Sequence, residues 1–149
     1  MKIEDSHNLK FTSEQQKAVV NIRITSNFIG GKQHQLMSQF GLSMAQFNVL
    51  GILRGAKTPL SVHVVKERMI EKSPNTTRLM DKLIEKELII RTRCESDKRI
   101  VFVEISEKGL ELLLQIDEKL EEVNFISKGL TNKEAEQLNE LLDKVREKW

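Results

Sequence analysis

Ser73-Pro74-Asn75-Thr76-Thr77-Arg78-Leu79-Met80-Asp81-Lys82-Leu83-Ile84-Glu85-Lys86-Glu87, followed without a spacer by Leu88-Ile89-Ile90-Arg91-Thr92-Arg93, decides how this chain folds. Ser73 has a side-chain oxygen that can cap a helix N-terminus. Pro74 fits the first helical position, where its missing N–H is no loss, and helix formers continue to Glu87. At 100° per residue Leu79, Met80, Leu83 and Ile84 share one face with Thr76, while Asn75, Arg78, Lys82 and Glu85 point away. A core face therefore separates from a polar, basic face. Leu88 to Arg93 and Arg99 to Ile105 then read as two β-branched strands, joined by the charged turn Cys94-Glu95-Ser96-Asp97-Lys98. A helix that runs into such a hairpin predicts a winged helix.

Charge is distributed accordingly. The 149 residues carry a formal net charge of only +2. Within them, however, residues 54–99 hold 12 Lys and Arg against 7 Asp and Glu, and residues 106–149 hold 7 against 11. A middle segment of +5 beside a C-terminal segment of −4 points the middle toward a polyanion. With 39% hydrophobic and 31% charged residues the chain can bury a core in a single subunit. Its apolar runs, such as Ile100 to Val103, fall far short of the roughly 20 residues of a membrane helix, and no signal peptide is evident. A soluble, cytoplasmic protein without a membrane partner is expected. The single cysteine, Cys94, excludes an internal disulfide framework.

Outward from the central stretch the pattern is helical. Thr12 to Ser38 predicts a long helix, capped by Thr12 or Ser13 and weakened or kinked at Gly30-Gly31. Phe40-Gly41-Leu42 breaks it, and Ser43-Met44-Ala45-Gln46 is a capping box for a second, buried helix ending near Gly55. Pro59-Leu60 interrupts, Ser61 caps a third helix to about Met69, and Ile70-Glu71-Lys72 connects it to the helix at Ser73. That pair reads as a helix-turn-helix. After the hairpin Ser106 caps a helix in which Leu113, Ile116, Leu120 and Val123 repeat. Thr131-Asn132-Lys133-Glu134 opens a last helix carrying Ala135, Leu138, Leu142, Val145 and Trp149. Stripes of this spacing need other helices to cover them, and the plainest partner is a second copy. The expected fold is mostly α with a small β-hairpin wing. A winged helix-turn-helix lobe at 43–105 is flanked by helical dimerisation regions at 12–40 and 106–149.

Several segments, in order, resemble the MarR family of bacterial transcriptional regulators. Leu42-Ser43 with Gln46-Phe47 and Val49-Leu50 is similar to that family's second helix, and Leu60 to Leu83 to its helix-turn-helix. Asp97-x-Arg99 resembles the wing signature, and Ser106-Glu107-Lys108-Gly109 the start of the following helix. The resemblance runs from about Thr12 to the C-terminus. It implies a homodimer with interlocked terminal helices whose two lobes read a pseudo-palindromic operator in double-stranded DNA, usually to repress transcription. A small-molecule effector or oxidant often releases such proteins. It also implies a ligand cleft between the dimerising helices and the reading lobe, which Phe28 and Phe47 could line, although Phe47 is more often plain core. The chain departs from the family at Glu87, where a helix-terminating glycine is common, and at the Gly30-Gly31 pair.

Inside a major groove the helix from Ser73 would offer N–H groups to phosphate, with Ser73 as a further donor. Asn75, Thr77 and Arg78 occupy its first turns, where Arg can pair with guanine and Asn with adenine; Lys82 lies one turn on, at phosphate distance. As an ordinary surface helix the same residues would simply be solvated. Arg99 reads as a minor-groove or phosphate finger steered and braced by Asp97, with Lys98 adding a phosphate contact. An exposed Asp97–Arg99 ion pair is the plainer alternative. Arg91 and Arg93 line the same face or are strand-surface charges.

Cys94 invites a redox reading, yet the cysteine of the oxidation-sensing MarR branches lies in the N-terminal helical region, so a small half-buried side chain is the simpler one. His7, His34 and His63 lack metal-ligand spacing, and neither a metal nor a cofactor is assigned. Motifs for phosphoryl transfer, metallohydrolysis and serine hydrolysis are missing, which argues against an enzyme. A winged-helix module that docks an acidic protein, without DNA, is the alternative from another class.

Overall fold

A computed structural model describes Ile3 and residues 10–70, 75–123 and 128–147. Ser73, Pro74, His7 and Trp149 lie outside the described residues, as does the side chain of Val123. The chain forms two compact units, Met1–Leu113 and Leu114–Trp149. In the first, α1 spans Glu14–Gln39, α2 Met44–Ala56, β1 Leu60–Ser61, α3 Val62–Arg68, α4 Thr76–Glu85, β2 Ile89–Arg93 and β3 Val101–Ile105. Helix α5, Glu107–Val123, begins in the first unit and continues into the second, which also holds α6, Asn132–Arg146.

Capping residues set the helix starts. Ser13 caps α1, accepting from the Gln16 N–H, while the Gln16 carboxamide oxygen reaches back to Thr12. Both expected capping boxes form. Ser43 pairs with Gln46 on α2, and Thr131 with Glu134 on α6. Ser61 caps α3 through the Val64 N–H at 3.3 Å. Helix α1 continues through Gly30-Gly31 over 26 residues, so the pair does not end it. A continuous ladder of i to i−4 bonds tolerates glycine at about 1 kcal/mol each.

Helix α4 is shorter than the sequence predicts, ending at Glu85 rather than Glu87. Its end is a Schellman turn: the Glu87 N–H donates to the Ile84 carbonyl at 2.8 Å and the Leu88 N–H to the Leu83 carbonyl at 2.9 Å. Such a turn needs a left-handed residue, and Glu87 adopts it at φ 61. The departure at Glu87 thus leaves the turn geometry intact, with a side chain where glycine would be unstrained.

The sheet has order β1-β3-β2, antiparallel throughout. Its third strand, β1, is an addition to the expected hairpin, because Leu60 and Ser61 pair with Val103 and Phe102. Strand β3 is two residues shorter than expected, starting at Val101. Helices α1 to α4, β3 and the first turns of α5 all contribute to the core of the first unit. Met37, Val49, Leu50, Leu53, Val65, Met80, Leu83, Val103 and Leu113 are fully buried there. Each such side chain contributes on the order of 2 kcal/mol of transfer free energy.

Gly109 marks the tightest approach. A Cβ there would lie 2.3 Å from the Leu88 carbonyl oxygen and 2.8 Å from Ile105 Cγ1, whereas a Cβ at Gly31 meets nothing within 4 Å. Gly109→Ala should destabilise the fold by about 2–3 kcal/mol, and Gly31→Ala should stabilise it by about 0.5–1 kcal/mol. Urea unfolding of the two variants beside the parent measures both.

Candidate nucleic-acid interface

Helix α4 presents the division that its periodicity predicts. Thr76, Met80 and Leu83 are buried, while Asn75, Thr77, Arg78 and Lys82 are exposed. Asn75 is its N-cap residue, although its side chain makes no capping hydrogen bond. From α2 the Asn48 side-chain oxygen accepts the Ile70 N–H, just beyond α3, at 3.0 Å. At the far end the Lys86 ammonium donates to the Gly41 carbonyl in the turn between α1 and α2.

Two grooves flank α4. One, of about 380 Å³, runs between α4 and the start of α2 and is lined by Ser43, Gln46, Asn75, Arg78, Leu79 and Lys82. The other, of about 500 Å³, lies between α4, the start of α3 and the wing, with Met80, Val62, Ile100 and Val101 as apolar lining and Thr77, His63, Arg91 and Arg99 as polar lining. The predicted residues therefore divide: Asn75, Arg78 and Lys82 line one groove, Thr77 and Arg99 the other. Asp97 and Lys98 line neither; they lie in the exposed wing turn. Phe28 is exposed on α1 and Phe47 half-buried on α2, and neither lines a groove beside α4.

In the wing the expected pairing of Asp97 with the Arg99 guanidinium is replaced by a backbone contact. The Asp97 carboxylate accepts the Arg99 N–H at 3.0 Å, and the Ile100 N–H donates to the Asp97 carbonyl at 3.0 Å. This is an Asx turn, in which a short side chain satisfies the backbone two residues on. Asp97 braces the loop as expected while the Arg99 side chain stays exposed. The guanidinium that does pair is Arg91, which meets Asp81 of α4 at 2.7 Å. Paired residues of β2 and β3 share a face, so Arg91, opposite Val103, lies on the side of the sheet that carries this buried residue. Cys94 is half-buried, and the Ser96 hydroxyl 3.1 Å away lowers its thiol pKa, with backbone donors at Asp97 and Ser96 adding to the effect.

Where α4 gives way to the sheet, a compact set of contacts closes on α5. The Ser106 hydroxyl donates to the Glu87 carbonyl at 2.7 Å and accepts the Gly109 N–H at 3.0 Å. The Lys108 ammonium meets the Glu87 carboxylate at 2.8 Å. Among the described residues no group of three or more His, Cys, Asp and Glu side chains is placed to hold a metal ion. His63 faces Glu67 one turn along α3 at 3.3 Å. Nor is any single helix among them long and apolar enough to cross a membrane.

A helix-turn-helix closed by a three-stranded wing, with cations along the exposed face of its second helix, narrows the family. Residues 32–116 match the family described as transcriptional regulator SarA/Rot. The chain belongs to that family. Its relatives include the HTH-type transcriptional regulator MhqR of Bacillus subtilis (strain 168), 30% identical over 118 residues, covering 78% of this chain and 81% of that protein. The HTH-type transcriptional regulator MgrA of Staphylococcus aureus is 29% identical over 147 residues, covering 96% and 93%. Among solved structures, a mutant MarR from E. coli complexed with operator DNA shares 25% identity at a TM-score of 0.69, covering 86% of this chain and 95% of its own. This SarA/Rot-family chain is thus a MarR-type winged-helix transcriptional regulator, and its family consists of regulators rather than enzymes.

Sequence reasoning missed three parts of this surface: the Asp81–Arg91 pair, the Lys86–Gly41 tie, and the contribution of Ser43 and Gln46 to a groove wall. Only the last left a signal, since the capping box was visible but its second role was not.

The Glu87 carboxyl is held below its ordinary value of 4.5, first by its hydrogen bond from Lys108 and then by that group's charge. A depressed carboxylate pKa contributes stability above the unfolded value, and that contribution disappears as pH falls through the folded pKa. NMR titration should find the Glu87 midpoint below 4.5, returning toward it in Lys108→Ala.

Proposed function

We propose that this SarA/Rot-family regulator acts as a homodimer on a pseudo-palindromic DNA operator, represses transcription there, and is released by a small-molecule effector. The observation that carries the reading is the exposed face of α4, where Asn75, Thr77, Arg78 and Lys82 stand clear of the core between two grooves. The E. coli MarR structure with operator DNA supports this use of the fold. In this reading residues 43–105 form the DNA lobe. Arg78 and Asn75 read base edges, Thr77 lies beside them, and Lys82 meets phosphate. The wing contributes Arg99 and Lys98 on a loop braced by Asp97, and Ser73 retains its proposed role as a phosphate donor ahead of α4.

The homodimer is supported by apolar side chains that a protomer leaves wet. On α1 Val19, Ile22 and Phe28 are exposed, and on α6 Leu138, Leu141 and Val145 are 44%, 62% and 52% exposed. The heptad set divides: Leu113 and Ile116 are fully buried within a protomer, Leu120 and Leu142 are half-buried, and Leu138 and Val145 are open. Dimerisation through 12–40 and 106–149 therefore rests most on Leu138, Val145 and the exposed residues of α1. Phe28 and Phe47 are the aromatic surfaces offered to an effector.

Mobility shift on DNA upstream of the gene should give a salt-sensitive, sequence-preferring complex with half-sites about one helical turn apart. Arg78→Ala should cost about 1–3 kcal/mol and relax base preference, whereas Lys82→Ala should weaken all sequences alike and lower the salt slope by about 1. Identical profiles for the two variants would overturn this division of roles. Leu138→Asp together with Val145→Asp should shift the sedimentation mass from dimer to monomer and abolish the two-half-site complex.

A further inference from the structure

We propose that the groove between α2 and α4 holds one phosphate of the DNA backbone, gripped by Gln46 and Ser43 of α2 on one wall and Lys82 on the other. This rests on the DNA-binding reading above and adds α2 to the interface. Gln46 is a polar side chain only 6% exposed, on a helix whose other buried residues are Val49, Leu50 and Leu53. Half of its carboxamide is accounted for: the oxygen accepts the Ser43 N–H at 3.0 Å and closes the capping box. That bond fixes which end of the amide is which and leaves the Nε2 hydrogens without a partner among the described residues. A buried donor in that condition calls for an acceptor.

Its surroundings select the acceptor. The groove it lines also carries Arg78 and Lys82, and among the described residues no acidic side chain lines it. Ser43 is exposed and accepts the Gln46 N–H at 3.2 Å, so its hydroxyl hydrogen is available to the same groove. The Met44 and Ala45 N–H groups belong to the first turn of α2, where no intrahelical acceptor exists, and they add positive potential. Donors and cations without an acidic wall suit an anion, and α4 brings the DNA backbone alongside. A phosphate held from both helices would set the depth and register of α4 in its groove.

Gln46→Glu tests the proposal, because glutamate serves the same capping-box position while replacing the donor with a carboxylate. Thermal melting and far-UV circular dichroism should match the parent. Operator affinity should fall about tenfold or more on specific and random duplexes alike, with the salt slope lower by about 1. Gln15→Glu, the same charge change at the start of α1, should cost far less. An independent measurement uses the parent protein on operators carrying single methylphosphonates: one position per half-site should lower its affinity about tenfold and cost Gln46→Glu nothing further. Parent-like binding by Gln46→Glu, a loss no greater than that of Gln15→Glu, or additive effects at every methylphosphonate would overturn the proposal. If Arg78→Ala still weakens binding in that case, the DNA reading stands without it; if the parent binds no duplex, both fall.

Discussion

The backbone of Leu88 fixes four elements to one another. Its N–H closes the Schellman turn of α4 on the Leu83 carbonyl, and its side chain enters the core as β2 begins. Its carbonyl accepts the Ser106 N–H at the end of β3 and lies so close to Gly109 in the first turn of α5 that no side chain fits there. Helix, both wing strands and the following helix thus share one residue, and a shift of any of them must break a hydrogen bond or create an overlap. Glu87, immediately before it, adopts a left-handed backbone so that the Leu88 N–H reaches the Leu83 carbonyl. Its carboxylate and carbonyl are then occupied by Lys108 and Ser106.

The grooves beside α4 follow from that anchoring. With the end of α4 fixed at Leu88 and at Gly41 through Lys86, its first turns project past the start of α2 on one side and the wing on the other. Cations collect along both margins, while at the far end Glu85 is exposed and Glu87 is paired with Lys108. The potential offered to a polyanion is therefore concentrated at the beginning of the helix, where the backbone N–H groups also point outward.

Elements governed by local chemistry were legible in the sequence. Capping boxes at Ser43 and Thr131, the apolar face of α4 and the hairpin each depend on residues within a few positions of one another, and each is found. What was not legible depends on partners far apart in the chain. Strand β1 consists of Leu60 and Ser61 and exists because β3 offers them an edge. Arg91 finds Asp81 across the junction of helix and wing, and Arg99 remains exposed because the Asx turn occupies Asp97. At Gly30-Gly31, where local propensity argues for a weak point, cooperative hydrogen bonding carries the helix through all 26 residues.

Asp81 gives the pairing with Arg91 a wider meaning. It places on α4 an acid whose partner belongs to the wing, so the two parts of the surface are matched to each other through one contact. Transplanting residues 76–85 from a relative without an acid at that position would leave the exposed Arg91 guanidinium facing water without its carboxylate, altering the field beside the new helix even if every base-facing side chain were copied faithfully. The unit that can be exchanged between such regulators is the helix together with its strand, and divergence at one is expected to be constrained by the other.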